Sequence, residues 1–404
     1  MHGVAVLLLD LLSSLTLRPA VRQAVQLELI PILHTLANYC LLSADQSRVK
    51  DTDPTQYLSD EATQRSARSC ALKLISELVE LFREDAVRAV LSVADTLCRE
   101  SLVKERAVTN QVEIKEFVAR INGKIDDVVT KNSRKHAWKS REVAVLLLGK
   151  TANDVLNLQV VKRGEVDLEE MLASVLPLLL IVKQTGRLIS VLRGRTLWAL
   201  ARLSDLFNSR SISLLLDLCL DCSHEKYSIP VRFSACFAIS KLSKHPNPPF
   251  LDRLPLLLGN LFQFATLVND DTLHLVLETV RDLSALSEET TAEAAKKYAG
   301  RILGLFGRYY GNSVLGGDIV SLLRLWADIP IAAESLARAF LPYISTLLCA
   351  HTSAESSSTC FKCCLSSFSL AVERRAWCWT CSLRCWRCCW CRGMCRFCCM
   401  GRIV

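Results

Sequence analysis

Paired cysteines are the residues of this sequence whose type and spacing could do chemistry. Nineteen cysteines occur among the 404 residues, and twelve lie at or beyond Cys360. The CxxC pairs there are Cys360/Cys363, Cys378/Cys381, Cys385/Cys388, Cys388/Cys391 and Cys395/Cys398. Two thiolates at this spacing could bind zinc or another thiophilic metal. However, the pairs overlap and no histidine lies among them, so they do not form a regular zinc-binding pattern.

Three interpretations of this terminal segment, residues 351–404, stay open. Cys, Trp and Arg share G-rich codons, so an Ala- and Gly-coding stretch that is read one base out of frame would have this composition. The alternatives are an accidental metal-binding or lipid-modified tail, and an evolved metal site that would give the protein a metal-dependent activity. We predict a Cys-, Trp- and Arg-rich tail that is disordered or aberrant, and prone to oxidation and aggregation.

A further CxxC pair, Cys219/Cys222, lies within an apolar stretch of the body. No second pair lies nearby to complete a zinc site. Because a free cysteine packs like a small apolar side chain, we interpret the pair as helix-end packing. The other cysteines before residue 351 also lie mostly at apolar helical positions, which is typical of a reduced, intracellular protein.

Sequence motifs of enzymes are missing from the chain. The seven histidines are scattered, and no HExxH, GxSxG or Gly-rich phosphate loop occurs. Gly316 and Gly317 precede Asp318, and we expect them to mark a helix boundary rather than a nucleotide site. We therefore predict no catalytic residue, no cofactor and no bound metal, and we predict that the protein is not an enzyme.

Charge and hydropathy do not indicate nucleic acid or a membrane as a partner. The net charge of +8 comes almost entirely from the tail, because residues 1–358 hold 41 bases and 40 acids. The apolar run that begins at Val4 has the length of a signal peptide. No Lys or Arg precedes it and Asp10 interrupts it, so we favour a repeat helix and expect no membrane insertion.

The elements that carry these residues share a recurring phrase, in which a basic residue and then Ala and Leu at helical spacing lead into an apolar stretch. Copies lie around Arg22, Arg68, Arg141, Arg195 and Arg232, and later echoes around Thr272 and Asp318. From Arg195 the spacings are 37, about 40 and about 46 residues, the period of HEAT helix pairs. We predict an all-α, HEAT/armadillo-type helical-repeat solenoid of seven to eight repeats over residues 1–350.

Apolar periodicity and breakers then place the individual helices. We predict helices near 4–16, 19–29, 31–42, 60–82, 84–102, 137–157, 167–184, 187–206, 209–221, 229–243, 250–267, 271–287, 290–309, 313–326 and 333–348. We expect a polar loop at 124–136, a connection at 245–249 and helix caps around Asn269 and Ser287.

Several segments then resemble one family. DPTQYLSDEATQRSARSCALKLISELVE, with Asp53, Pro54 and Tyr57 before the helix of Arg68, resembles the β-karyopherins of the importin-7, importin-9 and exportin-2 group. Four further segments resemble the importin-9-like members in order and spacing: HAWKSREVAVLLLG (136–149), GRTLWALARLSDLF (194–207), PVRFSACFAI (230–239) and the stretch from Leu275 through LVLETV to LPYISTLL near Leu348. The resemblance covers about residues 20–350, the middle of a longer receptor.

The resemblance implies a nuclear import receptor. Such receptors bind basic protein cargo such as histones and ribosomal proteins, pass nucleoporins, and release cargo when Ran-GTP binds. It implies residence in the cytoplasm and the nucleus. The rival interpretation is a HEAT-repeat scaffold for protein–protein interaction without a transport role.

Candidate cargo-contacting residues on the inner face follow from the same segments. They are Asp60, Glu61, Trp138, Glu142, Arg195, Trp198 and Arg232. Two alternatives stay open for some of them. Trp198 lies among leucines and could be a core residue, and Glu142 and Arg195 could bridge adjacent repeats.

Overall fold

The computed structural model describes residues 2–42, 66–101, 128–157, 187–245, 250–309 and 311–350, and every regular element there is helical. The α-helices are α1 (His2–Thr16), α2 (Pro19–Leu27), α3 (Leu29–Tyr39), α4 (Ala67–Phe82), α5 (84–101), α6 (Val128–Lys150), α7 (Ala152–Asn157), α8 (Arg187–Arg202), α9 (Ser209–Ser223), α10 (Ile229–Ser243), α11 (Leu254–Phe264), α12 (Asp270–Ser284), α13 (Glu288–Tyr309), α14 (Ser313–Asp328) and α15 (Pro330–Ala350). Short 3-10 turns lie at Ser204–Leu206 and Leu251–Arg253.

The chain divides into two compact units, Met1–Leu283 and Ser284–Val404. In the first unit α6 packs against α8 and α8 against α10, while α9 lies between them in sequence and packs against α10 and α11. Among the described helices, α6, α8 and α9 therefore each contact the helix two places further along, as stacked helix pairs do. In the second unit α13 packs against both α14 and α15. These contacts confirm the predicted all-α, HEAT/armadillo-type helical-repeat fold.

Side-chain caps explain where several helices begin. The Ser66 hydroxyl accepts from the Ser69 N–H at 3.1 Å, and the Ser69 hydroxyl accepts from the Ser66 N–H at 2.8 Å, which is a reciprocal capping box for α4. The predicted caps at Asn269 and Ser287 are confirmed, since they accept from the N–H groups of Thr272 and Thr290. Free N–H groups of the first turn are thus satisfied by local side chains.

Several predicted boundaries were wrong. The helix predicted from residue 60 begins at Ala67, because Ser66 is its extended N-cap. The chain breaks at Glu28 rather than at Pro31, and Pro31 lies in the first turn of α3, where its missing N–H costs no helical hydrogen bond. Residues 128–136 of the predicted loop are helical. Gly316 and Gly317 lie inside α14 and do not mark its boundary, because the helix begins at Ser313, where the Asn312 side chain accepts from the N–H groups of two residues.

Some predictions lie outside the described residues. These are the helix at 167–184, the prolines at 246–249, the Asp-Pro phrase at 53–61 and the tail at 351–404. Among the described helices no single one is long and apolar enough to cross a membrane. The pair Gly3–Thr16 and Pro19–Leu27 meets that test by length and composition, with a bend of 109° between the two helices.

Candidate functional site

The candidate site is built around Glu142, which lies on α6 between arginines from two other helices. Arg68 on α4 donates from Nη2 to Oε1 at 2.6 Å and from Nη1 to Oε2 at 3.1 Å. Arg195 on α8 donates from Nε to Oε1 at 3.1 Å. A single carboxylate thus joins three helices that come from three separate copies of the recurring phrase. We name Arg68, Glu142 and Arg195 the charge bridge.

Burial decides the electrostatics of the charge bridge. Glu142 is 0% exposed, Arg68 5% and Arg195 13%. Burial by itself would raise the pKa of Glu142, but the positive charges of Arg68 and Arg195 and their hydrogen bonds outweigh it and hold the pKa below its usual value. Glu142 is therefore ionised at neutral pH, and Arg68 and Arg195 supply its counter charges.

The C-terminal end of α3 is hydrogen-bonded to Arg68 of the charge bridge and to the nearby Lys139. Arg68 Nη1 also donates to the carbonyl of Cys40, and Lys139 Nζ donates to the carbonyl of Leu42 at 2.6 Å. These bonds satisfy carbonyls at the helix C-terminus with cations, which the helix dipole favours. Burial raises the pKa of the Cys40 thiol to about 12, so this cysteine is a packing residue rather than a nucleophile.

Trp198 lies beside the charge bridge, on the packed face between α6 and α8. The guanidinium carbons of Arg195 and Arg202 lie 5.5 Å and 5.4 Å from the centroid of its ring. The ring covers Gly149, where an added Cβ would come within 2.1 Å of it. Trp198 is only half-buried. Its ring therefore combines helix packing with a partly exposed, positively charged edge.

Arg232 belongs to a different cluster. Its Nε donates to the Ser223 carbonyl at 3.1 Å and its Nη2 to the Asn260 carbonyl at 3.4 Å, while the guanidinium lies 4.5 Å from the Phe264 ring centroid. Burial lowers its pKa, which Glu225 partly opposes. The side chain is 2% exposed. Arg232 therefore joins α9, α10 and α11 from inside and does not reach the charge bridge.

The remaining candidates are placed as follows. Trp138 is 7% exposed and forms an apolar cluster with Leu42 and Val191. Asp60 and Glu61 lie outside the described residues. Glu142, Arg232 and Trp138 are thus buried, and Glu142 and Arg195 form an ion pair between α6 and α8. Contact with a partner stays a prediction for all seven candidates, and among the described ones Arg195 and Trp198 are partly exposed.

The sequence motifs did not identify two residues of this region, Arg202 and Gly149. Arg202 follows Arg195 by seven residues, which places both on one helix face, and Gly149 follows Glu142 by seven. Arg202 also follows Trp198 by four residues, and this spacing could have identified the two as neighbours. Nothing in the sequence indicated that Trp198 lies against Gly149, because the two residues are on different helices.

The CxxC pair does not form a metal site with described residues. Cys219 and Cys222 are both buried on α9, and burial raises the pKa of Cys222 to about 12. The predicted interpretation as helix-end packing is confirmed. Among the described residues no group of three or more His, Cys, Asp or Glu side chains could hold a metal ion.

Comparison with known proteins gives distant fold likenesses. No family model matches the chain. A crystal structure of an engineered protein superposes with a TM-score of 0.41 at 12% identity, over 86% of this chain and 90% of that one. The crystal structure of Kap121p superposes with a TM-score of 0.38 at 16% identity and covers 91% of this chain. The chain spans only 35% of the length of Kap121p.

Proposed function

We propose that this protein is a nuclear transport receptor of the importin-9-like class, which binds protein cargo and carries it through the nuclear pore in a Ran-dependent cycle. The charge bridge is the observation that supports the proposal. Arg68, Glu142 and Arg195 come from three of the segments that resemble this family, and they meet in one buried contact. A fourth segment joins them where Gly194 lies against Ser234, since an added Cβ at Gly194 would come within 2.9 Å of that hydroxyl.

The helical-repeat fold suits this function physically. Each repeat contacts only its neighbours, so the array presents a large surface with small freedom at every joint. Two ligands that favour different arrangements of the same joints must weaken one another's binding by an equal factor. Cargo and Ran-GTP can therefore compete without any covalent chemistry.

Cargo release provides the test. A histone H2A–H2B dimer carrying a fluorophore should bind the full chain, and addition of Ran locked with GTP should weaken that binding about tenfold or more. Ran-GDP is the control and should have no effect. If the chain holds histones but Ran-GTP neither binds nor displaces them, transport is excluded and a scaffold without a transport role is supported.

A second experiment concerns the acidic pair predicted to contact cargo. Asp60→Lys should weaken histone binding several-fold, because it replaces a charge complementary to basic cargo with a repulsive one. Asp252→Lys is the matched control, since Asp252 is an exposed acid on a 3-10 turn at a distance in sequence from the family-like segments. Equal loss of affinity in both variants would show that the effect is one of total charge alone.

A further inference from the structure

The outward face of α13 carries an unusual distribution of charge. Four bases lie exposed within three and a half turns, and they are Lys296, Lys297, Arg301 and Arg308. We name these four residues the α13 basic face. Along the helix they span about 18 Å, at 1.5 Å per residue. The acids of the same helix, Glu288, Glu289 and Glu293, all precede them.

Within the described part of the chain, no carboxylate forms an ion pair with any of these four bases. Four exposed bases on other helices differ in this respect. Lys73, Arg88, Arg99 and Arg338 each pair with an acid four residues away. In α13, by contrast, Arg301 follows Lys297 by four residues, and like charges at this spacing destabilise a helix. A partner that supplies acids would offset this repulsion.

Two glycines leave an open strip of helix surface between the basic side chains, which we call the floor of the α13 basic face. Gly300 and Gly304 are exposed, one turn apart, and a Cβ added at either would meet no atom within 4 Å. The opposite side of α13 packs into the core of the unit, where Ala295, Tyr298 and Ile302 are buried. The open floor therefore lets the backbone of a second helix approach closely, while the bases on either side reach around it.

We propose that the α13 basic face binds an acidic α-helix of a partner protein, which lies along Gly300 and Gly304 with its carboxylates toward Lys296, Lys297, Arg301 and Arg308. Charge complementarity identifies this occupant. A second copy of the chain would bring two sets of four bases together. A nucleic acid would extend beyond the four basic side chains toward Glu289 and Glu293, and the two aromatic rings between those side chains, Tyr298 and Phe306, are buried and cannot stack on a nucleotide base.

This surface lies in the second compact unit and does not depend on the proposed transport function. A protein without any Ran response could still bind an acidic helix here. Conversely, cargo and Ran binding at the first unit could persist without it. The two proposals therefore fail independently.

Fluorescence anisotropy with the full chain tests the proposal. The probe is a fluorescein-labelled, 18-residue Ala-rich peptide that carries four Glu on one helical face, and the control peptide has Gln in place of each Glu. The acidic peptide should bind and the Gln peptide should not. Lys297→Gln with Arg301→Gln should weaken binding about fivefold. Lys73→Gln, at an exposed base on α4, should leave binding unchanged.

A glycine variant separates docking from folding. Gly304→Leu fills the floor, so it should abolish peptide binding, while the melting temperature should stay equal or rise because Leu favours helix more than Gly does. Binding unaffected by both the charge and the glycine variants would overturn the proposal. So would tighter binding of a single-stranded RNA oligomer that competes with the peptide, or a dimer in sedimentation that Gly304→Leu dissociates.

Discussion

Glu142 holds a negative charge out of contact with water, and its two counter charges come from other helices. Glu142→Gln would leave the buried Arg68 and the partly exposed Arg195 without a carboxylate between them. Breaking a buried ion pair by removing one partner costs about 3–5 kcal/mol, so we expect a loss of unfolding free energy of that size by urea denaturation. Glu84→Gln is the control, since Glu84 forms only an exposed pair with Arg88 and should cost less than about 0.5 kcal/mol.

The contribution of Glu142 to the stability of the protein depends on pH. The folded pKa of Glu142 lies below its unfolded value of about 4.3. The charge bridge therefore contributes fully above that unfolded value, and its contribution is lost as pH falls through the lower folded pKa. The stability difference between the wild-type protein and Glu142→Gln should be constant from pH 6 to 8 and shrink below about pH 4. A difference that grew on acidification would contradict this.

At the scale of elements, α6 and α8 pack closely because Gly149 leaves room for the Trp198 ring. Gly149→Ala should cost about 1–3 kcal/mol, since the new methyl would overlap the ring and force the two helices apart. Gly300→Ala on the open side of α13 is the matched control, and it should stabilise the helix by up to about 1 kcal/mol. Thermal or urea unfolding measures both changes in unfolding free energy.

A double-mutant cycle makes the Gly149 prediction specific. Trp198→Ala removes the obstacle, so Gly149→Ala should cost little in that background. If the penalty of Gly149→Ala is the same with and without Trp198, the contact between the two helices does not cause it.

The elements also show how far periodicity reaches. Helices such as α9, α10 and α14 were predicted within a few residues, because their apolar positions recur with the helical period. The start of α6 was missed because KNSRKH is polar all round, and polarity by itself does not distinguish a solvated helix from a loop. The helix caps at Asn269 and Ser287 were predicted correctly because capping is a local interaction.

At the scale of the whole molecule, each repeat is stabilised mainly by its neighbours, so a substitution should act locally. Glu142→Gln should raise hydrogen exchange in α4, α6 and α8. Asn312→Ala removes the cap of α14, costs about 1 kcal/mol, and should raise exchange in α13 to α15. Peptide-resolved mass spectrometry measures both. Equal acceleration throughout the chain in either variant would show one cooperative unit instead.

The sequence by itself determined the fold class, an all-α helical-repeat fold, because helical periodicity, scarce glycine and proline and a repeat near 40 residues are local or regular signals. It also identified Arg68, Glu142, Arg195 and Arg232 as residues of related segments. Only the tertiary structure decided that three of them form one buried charge bridge while Arg232 joins other helices. The reason is physical, since burial and ion pairing depend on which helices lie side by side, and helical spacing within one segment carries no information on the facing residue of another.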